Sequence, residues 1–157
     1  MTTLTNVTIS EMSVGRKATY TKTCTEADIQ LFALVSGDVN PVHLDAAYAA
    51  TTQFRQRIAH GMYTGALVSA ALGITLPGPG TIYLGQELRF RAPVFIGDTI
   101  TVELEVESIR EDKAIVGLNC NCTKQDGTVV ATGKATVIAP KEKISTPAPA
   151  LPTVTIG

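Results

Sequence analysis

Cysteine is scarce in this chain: 157 residues hold three, Cys24, Cys120 and Cys122. The number is odd, and the tight Cys120-Asn121-Cys122 spacing matches neither a redox pair nor a zinc pair, so reduced thiols in a cytoplasmic protein are expected. Neither sign of charge dominates. Thirteen Lys and Arg stand against 14 Asp and Glu, for a net charge of -1, and the cations are scattered. That excludes the electrostatic footprint of a nucleic-acid or anionic-membrane binder and points to a small-molecule partner. Residues 1–12 lack the basic start, apolar run and small-residue cleavage site of a signal peptide, so export is not expected. The longest stretch without charged residues, 58–86, is interrupted by Pro77-Gly78-Pro79-Gly80. The remaining continuous helix is too short to span a bilayer, which takes about 20 residues, and no membrane role is expected.

What is present is enough apolar content, 45%, for one core without disulfide or metal staples. Residues 1–139 read as a single domain. Residues 140–157, rich in Pro, Thr and Ala without apolar period, read as an extended or flexible tail. Within the domain the front is helical and the back strand-like. After a strand at 17–22, Thr25-Glu26-Ala27-Asp28 resembles a capping box, and Ile29, Phe32, Ala33 and Ser36 follow at helical spacing up to Gly37. Asp45 is a good N-cap for a second short helix. Residues 61–76 carry no charge and are apolar or small on every side, the signature of a buried helix. From Ile82 the period becomes two. Ile82, Leu84, Gln86, Leu88 and Phe90 share one face, and Val102, Leu104 and Val106 alternate with Glu103, Glu105 and Glu107, which are assigned with Asn121 to an exposed sheet face. Strands at 114–123 and 128–138 follow, with turn chemistry at Glu111-Asp112-Lys113 and Asp126-Gly127. A meander that buries one face, together with one apolar helix, is solved by curling the sheet around the helix: an α+β hot-dog fold.

Between the first two helices lies Ser36-Gly37-Asp38-Val39-Asn40-Pro41-Val42-His43. Gly37 permits the helix exit and Pro41 disfavours α-geometry at Asn40, which makes a stiff loop of the kind that presents functional groups from a fixed scaffold. From the residues alone, two readings stand: Asp38 and His43 converge there as an acid/base pair, or Asp38 is a helix-terminal turn residue and His43 a surface or core histidine. His60, beside Gly61, reads as a residue that shapes the loop, and His43, Asp45 and His60 have no recognised metal-ligand spacing, so no metal is expected.

The stretch Phe32-Ala33-Leu34-Val35-Ser36-Gly37-Asp38-Val39-Asn40-Pro41-Val42-His43 resembles the motif of the (R)-specific enoyl-CoA hydratases, the hydratase 2 or MaoC-like dehydratase family. Arg57-Ile58-Ala59-His60-Gly61-Met62, Phe90-Arg91-Ala92-Pro93-Val94 and Gly97-Asp98 look like further family features, so the resemblance covers roughly residues 25–138. It implies a hydro-lyase of the short single-domain type. Such an enzyme hydrates trans-2-enoyl-CoA to (R)-3-hydroxyacyl-CoA and runs reversibly, as in the supply of polyhydroxyalkanoate monomers. It further implies that Asp38 and His43 hold one water, that the Gly61 N–H binds the thioester oxygen, that Ser69 and Leu72 line the acyl pocket, and that the protein is a homodimer. A first-turn N–H suits the oxyanion role, being a donor without an intrahelical acceptor at the positive end of the helix dipole.

Asn40 is carried as a substrate contact, with bonds that merely fix the loop as the competing reading. Arg91 is carried as a cation for the coenzyme A phosphates, beside Arg55, Arg57 and Arg89. No cofactor is expected, coenzyme A being part of the substrate. Two rivals stay open: a hot-dog acyl-CoA thioesterase, and a non-catalytic domain that binds acyl thioesters or protein partners.

Overall fold

The computed structural model describes residues 2–157. A five-stranded antiparallel sheet, in the order β2-β4-β5-β6-β3, is built from β2 (Lys17–Thr23), β3 (Ile82–Phe90), β4 (Thr99–Arg110), β5 (Ile115–Thr123) and β6 (Val129–Ile138). Its inner face packs on α4 (Gly61–Ile74), the hot-dog arrangement. Ile100, Val102, Leu104, Val116 and Leu118 from the sheet meet Leu67, Val68, Ala71 and Leu72 from the helix in one apolar cluster. Full burial of each such Leu, Ile or Val side chain stabilises the fold by about 1.5–3 kcal/mol. The outer face is polar: Lys17 lies 3.5 Å from Glu103, and Lys134 lies 2.9 Å from Glu107.

Helix α1 (Glu26–Ser36) starts and stops where its local chemistry dictates. Thr25 Oγ1 accepts the Asp28 N–H while Asp28 Oδ2 accepts the Thr25 N–H, and Gly37 closes the helix at φ 79°, a left-handed value that favours glycine. Asp45 caps α3 (Ala46–Ala50) by accepting the Tyr48 N–H at 3.0 Å. The motif loop contains an element not expected from its pattern, the single turn α2 (Pro41–Leu44). Asn40 Oδ1 caps it at the Val42 N–H, and Pro41 occupies its first position, where the missing N–H costs nothing.

Two expectations need correction. Helix α4 buries Tyr63, Leu67, Val68, Ala71 and Leu72, yet Met62, Ala66, Ser69 and Gly73 form an open stripe at helical spacing, because one curled sheet reaches only part of the helix's circumference. The single alternating face expected along β3 is not kept either. A register shift between Tyr83 and Gly85 displaces the alternation, and as an edge strand β3 leaves Ile82, Leu84 and Phe90 at least half exposed.

In the tail, β7 (Ser145–Pro147) pairs antiparallel with β1 (Thr3–Thr5). Lys143 Nζ donates to the Asn6 carbonyl and lies 2.9 Å from Glu11 Oε2, and that same carboxylate accepts the Thr8 N–H. The Thr8 N–H, followed by Lys143, holds Glu11 down at about 2, against an ordinary 4.5. A carboxyl whose folded-state pKa is depressed contributes stability above its ordinary value and loses it as pH falls through the folded value. Acidification from about 4.5 to about 2 is therefore expected to release this junction. The hydrogen-exchange protection factor of the Ile144 N–H, which donates to Asn6 Oδ1, should fall across that window in the wild type, and Glu11→Gln should show the lower protection already at neutral pH.

The three cysteines are buried and unpaired. Burial pushes their thiols up, Cys24 to about 11 and Cys122 to about 12. Among the described residues, no helix is long and apolar enough to cross a membrane.

Candidate active site

The motif loop folds onto the segment 57–60, which grips it through four hydrogen bonds. Arg57 Nε donates to the His43 carbonyl at 2.7 Å, while Arg57 Nη1 lies 2.8 Å from Glu26 at the start of α1. The Ile58 N–H donates to the Val42 carbonyl, and the Ile58 carbonyl faces His43 Nδ1 at 2.8 Å. His60 Nε2 lies 3.0 Å from the Asp38 carbonyl. A carbonyl can only accept, so both contacts fix tautomers: His43 carries its proton on Nδ1, and His60 carries its own on Nε2.

In the neutral ring this leaves His43 Nε2 as an acceptor, and it points at Asp38, whose Oδ2 lies 3.9 Å away. The other carboxylate oxygen is already engaged, since Oδ1 accepts the Asn40 N–H at 3.0 Å. His43 is buried, whereas the Asp38 side chain is half exposed. Two acceptors cannot bond each other, but 3.9 Å apart they are well placed to share one water, because two hydrogen bonds of about 2.8 Å meeting at one oxygen at the water angle span roughly 4.5 Å.

Behind this pair the rings of His43 and His60 stack at 3.8 Å, and Phe32 closes the stack at 4.9 Å from His60. Asp38, His43 and His60 offer ligand atoms within 4.8 Å of one another. An ion lies in the plane of each imidazole that binds it, and two rings packed face to face do not aim their lone pairs at one point, so this cluster does not suit a metal. Asp45, grouped with the histidines by sequence, caps α3 instead.

His60 is also the N-cap of α4, but its ring caps nothing there, having turned to Asp38. Gly61 follows as the first residue of the helix, with an N–H that has no intrahelical acceptor. A cavity of about 340 Å³ opens in front of it, lined among others by Phe54, Ile58, His60, Phe90, Arg91 and Pro93. Asp38 and His43 lie beyond that lining. A Cβ added to Gly61 would stand 3.1 Å from the Phe90 ring, so glycine is what lets another group reach the helix terminus here.

The domain model described as "MaoC like domain" matches residues 8–124, well over half of the chain. The chain belongs to the MaoC-like family. A protein of Aeromonas caviae named (R)-specific enoyl-CoA hydratase is 48% identical over 129 residues, which cover 82% of this chain and 96% of that one. A Rhodospirillum rubrum protein of the same name is 47% identical, with 83% and 90% covered. The solved structure of R-hydratase PhaJ1 from Pseudomonas aeruginosa, in its unliganded form, superposes with a TM-score of 0.95 at 54% identity, covering 99% of this chain and 100% of that one.

In this MaoC-like domain the remaining predicted residues fall into place unevenly. Asp38 and His43 come together; Gly61 stands at the cavity with Arg91, whose Nε donates to Thr132 Oγ1 at 3.3 Å. Asn40 spends its side-chain oxygen on capping α2. Ser69 and Leu72 are not brought to the cavity: Ser69 lies on the open stripe of α4, and Leu72 is 1% exposed within the core. Arg57 is bound to His43 and Glu26, which removes it from the cations available to phosphate.

Asp98 has a holding role. Its burial works against ionisation, but the Gln125 amide, the Phe95 N–H and Lys124 outweigh that and keep the carboxyl below its usual range. This fastens the loop that carries Pro93 and Val94 along the cavity. Sequence reasoning missed Arg57 and the Ile58 carbonyl as the fixtures of His43. The first had no local signal, and the second is a backbone atom that any residue would supply.

Proposed function

We propose that this protein is an (R)-specific enoyl-CoA hydratase, a hydro-lyase that adds water to trans-2-enoyl-CoA to give (R)-3-hydroxyacyl-CoA and catalyses the reverse dehydration. The observation that carries the reading is His43 Nε2 facing Asp38 Oδ2 at 3.9 Å, with the His43 ring stacked on His60, the N-cap of α4.

A water donating one hydrogen to each acceptor turns its lone pairs outward, toward the β-carbon of a bound enoyl thioester. Its oxygen bonds to Cβ as one O–H bond breaks, and the C=C electrons move onto the thioester as an enolate. The Gly61 N–H then bears on the enolate oxygen, where such a donor is worth about 2.7–4 kcal/mol. The proton taken up by the Asp38–His43 pair returns to Cα on the same face, so the addition is syn and one water supplies both atoms. Nothing in these steps calls for a metal or redox cofactor.

The test is conversion of crotonyl-CoA followed by chiral analysis of the product. The expected result is 3-hydroxybutyryl-CoA of (R) configuration; a purified protein that leaves crotonyl-CoA untouched overturns the assignment. An (R)-3-hydroxyacyl product is also the monomer form used in polyhydroxyalkanoate synthesis, the process in which the solved (R)-hydratase of A. caviae is involved. We place the reaction in the cytoplasm, in keeping with three buried, unpaired thiols.

We further propose a homodimer. The support is the open stripe Met62, Ala66, Ser69 and Gly73 on α4 next to the exposed apolar side chains of edge strand β3, a surface that a second copy would cover. In that assembly Ser69 is an interface residue. Light scattering on the wild type should give twice the 16.5 kDa chain mass, and Leu84→Lys should shift it toward the single chain. A wild type that stays monomeric at micromolar concentration would refute the dimer.

A further inference from the structure

We propose that His60 is a positioning residue for hydration, acting through the Asp38 backbone and the His43 ring. The inference rests on the hydratase reading above and assigns to it a residue outside the Asp38, His43 and Gly61 set.

Three observations converge on this side chain. First, Nε2–H donates to the Asp38 carbonyl at 3.0 Å. That bond fixes the backbone from which the Asp38 carboxylate hangs, and with it the 3.9 Å gap to His43 that one water must fill. Second, the ring is only 3% exposed and lies between His43 and Phe32, so it forms the floor on which the His43 imidazole rests. A flat ring stacked against the His43 face at 3.8 Å lets that imidazole keep its orientation while Nε2 gains and loses a proton.

Third, Nδ1 is buried and, among the described residues, is the one buried side-chain nitrogen or oxygen without a hydrogen-bond partner. An orphaned buried acceptor is destabilising, because it has left water without gaining a partner. Selection for stability alone would favour an apolar ring at this position, filling the same space with no orphan. A histidine is retained at that cost for the one thing an apolar ring lacks, the N–H held against the Asp38 carbonyl.

The arrangement separates packing from positioning by mutation. His60→Phe keeps the stack between Phe32 and His43 and removes the orphan, so its thermal unfolding should match or exceed that of the wild type. Its kcat should nevertheless fall by about 10–10²-fold with KM nearly unchanged, the scale expected when a reacting group is displaced by about an ångström. The pair His60→Gln and His60→Asn makes the same comparison without an aromatic ring. The longer amide can reach the Asp38 carbonyl and should recover most of the lost kcat, while the shorter one should not.

In long-range nitrogen–proton NMR spectra of the wild type, His60 should show the Nε2–H tautomer. Wild-type kcat in His60→Phe, equal kcat in the Gln and Asn variants, or an Nδ1–H tautomer would each overturn the proposal. The underlying reading fails separately, by normal turnover in variants of Asp38 and His43.

Discussion

With crotonyl-CoA as substrate, Asp38→Asn and His43→Gln should each lower kcat by about 10²–10⁴-fold, the range for loss of a positioned acid/base group. Asparagine has nearly the shape of aspartate and can still accept the Asn40 N–H through its amide oxygen, so the loop should keep its form. The atom turned toward His43 then becomes an NH₂ donor where the wild type has an acceptor at 3.9 Å. The bridging water loses one of its two acceptors, and the basic nitrogen of His43 is offered a competing hydrogen. Glutamine at 43 can donate to the Ile58 carbonyl but has no basic nitrogen left to present.

Because the two groups act on the same water, the double variant should be scarcely slower than the worse single one. Asp38 is half exposed, so Asp38→Asn should change stability by less than about 0.5 kcal/mol, and a low rate cannot be put down to unfolding. Turnover within a few-fold of wild type in both variants would sink the mechanism.

Gly133→Ala should produce the largest loss of stability. Gly133 lies opposite Leu88 in the β3–β6 pairing, where the partner backbone comes so close that a Cβ would stand 1.9 Å from the Glu87 carbonyl oxygen and 2.9 Å from its carbon. A flexible side chain could turn away from such a contact, but backbone cannot. Either the two strands separate locally or the register slips. The cost should be about 3 kcal/mol or more, and the melting temperature should fall by roughly 6–12 °C for a chain of this size. β3 ends at Phe90 and leads straight into Arg91 at the cavity, so binding of substrate should weaken as well, with KM rising in the folded fraction. A Gly133→Ala variant that melts within about 2 °C of wild type, well inside the shift expected for such a cost, would show that the strands do not approach this closely.

What the sequence could reveal followed how local each cause was. The capping box at Thr25, the exit at Gly37 and the alternation of Val102, Leu104 and Val106 are short-range effects, and the fold assembled from them is the one observed. The turn at Pro41–Leu44 was equally local, an Asn cap followed by Pro, but is too short to show a period. The exposure of Ser69 could not be read from a helix apolar on every side, since the number of faces covered depends on how far the sheet curls. Asp38 and His43 stood out because they lie only five positions apart in the chain. The hold of Arg57 and His60 on that pair joins segments 14 and 22 residues apart, and only the folded chain places them together.

The buried cysteines bear on how the thioesterase rival can be put to the test. Cys24, Cys120 and Cys122 are enclosed by core atoms, and their protons are held well above the neutral range. A disulfide dye that reports free sulfhydryl groups needs an accessible thiolate, which the native enzyme should not offer on the timescale of an assay. Colour developed during incubation with an acyl-CoA would then come from cleaved coenzyme A alone. The same three residues, reached only when the core opens, make that dye a clock for unfolding once denaturant is added.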